Sequence, residues 1–458
     1  MIIAYVFRWV GDDIYVTLRY VDNFIQGNGL VYNIGERVEG FTHPLWLFLI
    51  IVFKFIYAFI SYETIVYILG ISSFLGVIYV SYKINGLFVP LCLLCLYDFV
   101  IWGTSGLETM LFTFLLLLAY YFRDKQLLMN IFLSLLVLTR PEGAFFIVIF
   151  NLFYFSRNWK DYLPYLLPVI YLIFRFFYYH EILPNTYFVK ANGFNFLQGF
   201  RYLWLAVYSY PVLFIAFVLA LFFVKSNKDS NFIIYLIVGY LLYVISVGGD
   251  FMFFRFIVPV IPFMFILIGK LKISKNYTFI AFLCLSMLFT KVLLRDSLLL
   301  EDGKVKSFKV NYGIIDERNY YTHSIVDGKG YIEIQKELGL KLNPYFEGLE
   351  ARVLLRGQCC FGYYAGFSYC LINAGLADKN IAKQKIEKRG RVGHEKTASL
   401  DYIKQKKINF VFNRRLYLND YQAMFFNSYR AEIITFNNDL FLELKDNMGD
   451  DFNIYKIK

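Results

Sequence analysis

Residues 11–46 read GDDIYVTLRYVDNFIQGNGLVYNIGERVEGFTHPLW, and this stretch decides how the rest of the chain is understood. Paired carboxylates (Asp12, Asp13), arginines (Arg19, Arg37), further acids (Asp22, Glu36, Glu39) and Gly-rich turns stand immediately before a long series of apolar segments. Charge is costly beside hydrocarbon, so where it collects it tends to mark a site. Locally the pattern predicts a surface helix over Ile14 to Gln26, bent into the membrane interface, with Asp12 or Asp13 accepting the free amides of its first turn. Gly27 and Gly29 end that helix, because glycine takes positive φ without strain. A cap needs one carboxylate and the stretch offers two.

The 458 residues are 58% hydrophobic and 21% aromatic, with a mean hydropathy of +0.51. Soluble domains run near ~45–50% apolar, so the composition is that of an integral membrane protein. The net charge is +11. In a membrane chain such an excess of Lys and Arg sets topology and meets anionic headgroups rather than nucleic acid. The six cysteines form no framework. Cys92 and Cys95 sit in an apolar run as packing residues, and one disulfide, Cys370 with Cys359 or Cys360, is expected in the C-terminal region.

Eleven apolar segments follow between Phe41 and Leu294, among them Leu87 to Trp102, Phe200 to Val224 and Phe251 to Lys270. From Gly106 onward, basic clusters fall at every second connection: Arg123/Lys125, Arg157/Lys160, Lys225/Lys228 and Lys270/Lys272/Lys275. Cytoplasmic connections retain Lys and Arg, so those are the cytoplasmic ends. The intervening loops hold GTSGLET with Glu108, TRPEG with Arg140 and Glu142, HEILPNTYFVK with Asn185 and Lys190, and GGDFMFFRF with Asp250 and Arg255. All four therefore face the other side. Leu87 to Trp102, interrupted by Pro90 and Asp98, upsets the count of crossings and is the weakest span. After Leu294 the chain turns polar. Val353 to Leu355, Ile408 to Phe412 and Ile433 to Leu444 read as strands, and Tyr331 to Leu338 and Leu400 to Lys406 as helices.

Taken together, DD…RY…GNGLVYNIGERVEGFTHPLW, SGLET, TRPEG, LPNTYFVK and GGDFMFFRFIVPVIP, followed by CLINAGLADKNIA and RGRVGHEK, resemble a known family. They are similar to the polyprenyl-phosphate-sugar-dependent membrane glycosyltransferases of the GT-C fold. Within these they look most like the terminal arabinofuranosyltransferases that finish actinobacterial arabinan, and their relatives in other bacteria. Departures are His43 where a serine is usual and Asn373 at the first Asp position of the Gly-Leu motif. In the family a complete first span precedes the Asp pair. Here Met1 to Val10 is much shorter than the ~20 residues a span needs, so the expectation is a truncated N-terminus or a first helix that enters only part of the bilayer.

The resemblance implies a polytopic all-α membrane domain of GT-C type, with about 10–12 helical segments, followed by a small extracytoplasmic α/β domain. Boundaries are expected at residues 1–296 for the helical domain, with a first extracytoplasmic loop at 11–43, and 297–458 for the C-terminal domain. The setting is a bacterial inner membrane, with active site and C-terminal domain extracytoplasmic. The activity implied is transfer of a sugar, arabinofuranose by the resemblance, from a polyprenyl-phosphate donor to an extracytoplasmic glycan, lipid or protein.

A sugar phosphate already carries a good leaving group, so the reaction needs one base for the acceptor hydroxyl and positive charge on the departing phosphate. Asp13 or Asp12 suits the base, and a single base implies inversion. Arg140 and Arg255 suit the phosphate, because a guanidinium grips phosphate oxygens in pairs and stays charged at low dielectric. Arg19, Glu108, Glu142, Asn185, Lys190, Asp250 and His43 are supporting candidates. No cofactor is called for, while a divalent cation on Asp12 and Asp13 stays open. The bland alternative is an ion-pair network of Arg140 with Glu142 and Asp250 with Arg255, with His43 a helix cap and His394 structural. Other readings of the whole are a mannose- or hexose-dependent transferase, a transporter of lipid-linked sugar, or a silent envelope-assembly protein.

Overall fold

A computed structural model of the chain describes residues 7–190, 193–290, 300–301, 304–305, 309–310, 313–322, 329–387, 390–412, 421–426 and 429–457. The expectation about a curtailed first span rests partly on residues 1–6, which lie outside this set.

Helices dominate up to Thr290. Among the described residues, three are long and apolar enough to cross a bilayer, Tyr62–Asn85, Trp159–Tyr179 and Lys228–Val247. Their ends follow the sequence. Ser61 accepts the Thr64 amide at 3.3 Å and Asn227 that of Ser230 at 2.9 Å, while Gly248 closes the last of them at φ 90°. Six shorter apolar helices accompany them: Pro44–Ile56, Thr109–Tyr121, Gln126–Thr139, Gly143–Phe153, Val258–Ile268 and Tyr277–Phe289. A thirteen-residue helix rises only about 20 Å against a hydrocarbon core of about 30 Å. Among the described residues, three single helices, or four spans with a bent pair, reach spanning length by themselves, and the other apolar segments are shorter helices.

That pair is Phe196–Ser209 and Pro211–Phe223, turned 104° from each other. The expected single segment breaks at Tyr210 because Pro211 bars its predecessor from the helical region, and Tyr210 takes φ −136° and ψ 58°. Leu87 to Trp102 likewise divides, at Leu96, into Phe88–Cys95 and Tyr97–Trp102. The two breaks are joined: the Tyr210 hydroxyl donates to the buried Asp98 carboxylate at 2.6 Å. Gly199 is where the helices Phe196–Ser209 and Lys228–Val247 meet. A Cβ there would lie 2.0 Å from the carbonyl oxygen of Ile245.

Packing divides the chain into two compact units, and neither is continuous. One takes Met1–Val10, Thr42–Arg175 and Gly193–Tyr320; the other takes Gly11–Phe41, Phe176–Asn192 and Tyr321–Lys458. The division differs from the 296/297 boundary expected above. The first loop and the LPNTYFVK stretch fold with the C-terminal residues, because their polar side chains find partners there.

The second unit is built on six strands: β1 Arg352–Leu355, β2 Tyr369–Ile372, β3 Phe410–Phe412, β4 Tyr421–Phe426, β5 Tyr429–Ile433 and β6 Ile454–Ile457, in the order β6-β4-β5-β3-β1-β2. β1 pairs in parallel with β2 and β3, and the remaining pairs are antiparallel. Alternation along β3 sends Val411 to one face, with Leu354, Leu371, Ile381, Ile403 and Ile408. Phe410 and Phe412 go to the other, against Phe346, Phe367 and Phe426. Ile433 to Leu444, expected as a strand, is one only at Ile433. Asn437 accepts the amides of Asp439 and Leu440 at 3.1 and 3.3 Å and starts the helix Asn438–Met448.

Candidate functional site

In the helical unit, loops far apart in sequence bring their charges together. Glu108 immediately precedes the helix Thr109–Tyr121, and Arg140 caps the C-terminus of Gln126–Thr139. The Arg140 Nε lies 2.6 Å from Glu142 Oε1 and 3.7 Å from Glu108 Oε1, and His43 Nδ1 lies 3.7 Å from Glu108 Oε2. Arg255 Nε meets Asp250 Oδ2 at 2.5 Å. One ring joins the pairs: the guanidinium carbons of Arg140 and Arg255 lie 4.7 and 5.6 Å from the centre of Phe256. All four sequence loci, His43, SGLET, TRPEG and GGDFMFFRF, therefore contribute to one buried cluster.

The GGDFMFFRF loop is held rigidly. Ile315 exchanges backbone hydrogen bonds with Phe251 and Phe253 at 2.7 and 2.9 Å, and the Tyr202 hydroxyl bridges Met252 and Phe256. Gly249, at φ 68°, lies so close to the Tyr202 ring that a Cβ would stand 2.4 Å from it. Phe254 is held at φ 66°, which is costly for a residue with a Cβ, directly before Arg255. A strained residue fixed from several sides is the usual mark of a preset side chain, here the guanidinium of Arg255.

The ion pairs expected from spacing are present, and yet they leave something over. Among the described residues the Arg140 Nη1, buried from solvent, has no hydrogen-bond partner. A buried donor without a partner is costly, and such groups call for a ligand or a bound water. Opposite this cluster, at the other ends of the same helices, Asp229 gathers Lys270 (2.5 Å), Arg123 (3.2 Å) and the Tyr120 hydroxyl (2.8 Å). The alternation of basic and acidic loops in the sequence thus becomes two charged clusters separated by the length of the helices.

The α/β unit holds the other candidates. The helix Ile14–Ile25 is largely buried, not a surface helix, and neither aspartate caps it by its side chain. Asp12 instead reaches across the chain: its two oxygens accept the amides of Cys359 (3.0 Å) and Cys360 (2.8 Å) at the start of the helix Cys359–Tyr364. Asp13 is half-buried, and among the described residues its carboxylate makes no hydrogen bond or ion pair. Electrostatically it is felt by Cys359 and His394. His394 itself is exposed.

Arg19 is a clasp, donating to Tyr32 O (2.8 Å), Phe367 O (2.8 Å) and Cys370 Sγ (3.2 Å). Asn185 clamps the Gly-Leu motif through Gly375 O and Leu376 O at 2.8 and 2.9 Å. Lys190 lies against Gly393, and Lys396 of the same motif donates to Phe188 O and Ala382 O. Asn373 accepts the Ala398 amide at 3.0 Å. The first loop, LPNTYFVK and the two C-terminal motifs interlock as one body.

Two expectations meet chemistry that does not fit them. Cys359, Cys360 and Cys370 join no disulfide among the described residues, and Cys370 accepts from Arg19 instead. Nor does the aspartate pair suit a divalent cation. Both oxygens of Asp12 are occupied by amides, and no group of three metal-ligating side chains gathers among the described residues.

Burial pushes the Asp12 carboxyl up to about 7, against the pull of the Cys360 and Cys359 amides, with the charge of Asp13 adding to the rise. The folded protein then holds a proton that the unfolded chain releases. This contribution to stability is full below about pH 4, falls as pH rises to about 7, and is level above. Across that window the loss is about 4 kcal/mol. Asp12→Asn is neutral throughout and is expected to flatten this slope in thermal unfolding measured at pH 5 and pH 8. An unchanged slope refutes the assignment.

A helical unit with short and long apolar helices, a buried charged cluster at their ends, and a small α/β unit in the same chain define a polytopic membrane protein. No family model matches the chain. In sequence it resembles terminal β-(1→2)-arabinofuranosyltransferases. It is 28% identical to that of Mycobacterium tuberculosis over 232 residues, covering 43% of this chain and 37% of that protein. It is 49% identical to that of Corynebacterium glutamicum over 43 residues, covering 9% and 6%. The chain thus spans little more than a third of the mycobacterial relative. Among solved structures it is similar to ArnT from Cupriavidus metallidurans, bound to undecaprenyl phosphate and in the apo state. The TM-score is 0.47 for both, with 14% and 15% identity, over 83% of this chain and 75% of those.

Proposed function

We propose that the chain is a membrane glycosyltransferase that moves a sugar from a polyprenyl phosphate to an extracytoplasmic glycan, lipid or protein acceptor. Arabinofuranose is the sugar favoured, since both curated relatives carry it in their names. The observation that carries the chemistry is the unspent Nη1 of Arg140 inside a cluster that also holds Arg255. Departure of the lipid phosphate builds negative charge, and preset guanidiniums stabilise it without reorganising. Asp13, half-exposed and without a hydrogen bond or ion pair among the described residues, takes the proton of the acceptor hydroxyl as that oxygen attacks the anomeric carbon, and the lipid phosphate leaves. One base and a direct attack give inversion. Asp12 is a structural group in this scheme.

The test is incubation of membranes carrying the protein with radiolabelled polyprenyl-phosphate arabinose and, separately, polyprenyl-phosphate mannose. Label from the arabinose donor is expected in acceptor material. Transfer from mannose alone would assign a hexose donor, and label from neither would overturn the proposal.

A further inference from the structure

Tyr240 stands in the helix Lys228–Val247 with its ring fully buried, 5.1 Å from Phe146 and 6.2 Å from Phe145. Its hydroxyl is shut off from solvent and has no hydrogen-bond partner among the described residues. Buried tyrosines ordinarily find a partner, and phenylalanine would fill the same space without an orphaned hydroxyl. Tyr240 also borders the charged cluster. It interacts electrostatically with Arg140 and Glu142, and Phe146 connects its ring to Phe112, over which Arg140 lies at 5.6 Å. Two unspent donors, an O–H and a guanidinium N–H, thus adjoin one buried site.

A lone acceptor such as a carbonyl would satisfy one donor. A phosphate offers several oxygens and a charge that the buried guanidinium matches, and a hydroxyl donor is as suited to it as an amide. We propose that the Tyr240 hydroxyl and the Arg140 Nη1 are two donors of one binding site, taking the phosphate of the lipid-linked donor. This rests on the function proposed above and adds a binding residue to it. Both atoms are enclosed, so the headgroup reaches them with a side-chain shift of the kind common on binding.

Tyr240→Phe makes an unusual pair of predictions for the full chain in lipid nanodiscs. Without ligand its thermal unfolding is unchanged or shifted upward, since only an orphaned hydroxyl is removed. Its affinity for a polyprenyl monophosphate falls about tenfold, one hydrogen bond to a charged group, while affinity for the uncharged polyprenol is unchanged. An equal affinity of wild type and variant for the monophosphate would overturn the role of Tyr240. So would a lowered unfolding temperature without loss of affinity, the signature of a hydroxyl satisfied by a trapped water. A Tyr240-dependent response to inorganic phosphate as strong as that to the lipid would assign the site to a free anion instead. If wild type itself binds monophosphate no better than polyprenol, it is the underlying phosphate-donor reading that fails.

Discussion

Asp13→Asn is expected to lower sugar transfer by about 10²–10⁴-fold, the usual worth of a general base, while thermal unfolding stays nearly unchanged. The argument is that the carboxylate is not engaged in holding the fold. It occupies the residue before the helix Ile14–Ile25, but its carboxylate accepts no capping amide, and among the described residues it makes no hydrogen bond or ion pair. Asparagine has the same shape and keeps the backbone conformation. What is lost is a negative charge near a helix N-terminus, about 0.3–1 kcal/mol. The neighbouring Asp12→Asn is the contrast. An amide cannot accept from both Cys359 and Cys360, so at pH 5, where the raised pKa keeps Asp12 protonated and free of a buried-charge penalty, one buried amide loses its partner and unfolding shifts downward, whatever happens to transfer. Transfer assayed beside unfolding for the two variants separates the roles. If Asp13→Asn retains transfer within about threefold of wild type, Asp13 is not the base.

That contrast also shows how far the sequence could be read. Charges close in the chain were legible: Arg140 and Glu142 flank a proline, Asp250 and Arg255 bracket an aromatic run, and both pairs form. The helical unit was legible in kind, since apolar runs and terminal signals such as Ser61, Asn227 and Gly248 are local. Where the apolar runs break was not legible, because apolarity does not report a break, and the breaks come from Pro211 and at Leu96. Asp12 could not be assigned from its surroundings: its partners lie 347 and 348 residues away and leave no mark near Gly11. The partners of Arg19 and Asn185 were illegible for the same reason, as they lie in the C-terminal region. Tyr240 carried no signal as one tyrosine among 39. The helix after Asn437 did carry one. Leu440, Phe441, Leu444 and Met448 repeat at helical spacing behind an asparagine, a signal that outweighs the apolarity that reads as a strand.

Arg140→Gln is expected to have the largest effect on stability. Arg140 is the partner of Glu142 at 2.6 Å and of Glu108 at 3.7 Å, and all three side chains are buried. Removing one member of a buried pair leaves an uncompensated charge, which costs about 3–5 kcal/mol, so the variant unfolds at a markedly lower temperature. Taken alone, that result could not distinguish a structural cation from one that holds a ligand. The double variant Arg140→Gln with Glu142→Gln does. It removes the closer carboxylate's charge along with its partner, and Glu108 retains His43 at 3.7 Å. Neutral isosteres in place of a buried ion pair are often nearly free of cost. Most of the stability is therefore expected to return. Binding of a polyprenyl monophosphate is not, because no neutral side chain replaces a guanidinium on phosphate, and a loss of about 10²–10³-fold is expected to persist. Should the double variant recover both stability and phosphate binding, Arg140 serves only to neutralise Glu142. Phosphate recognition would then have to come from Arg255, whose own partner Asp250 already takes its Nε at 2.5 Å.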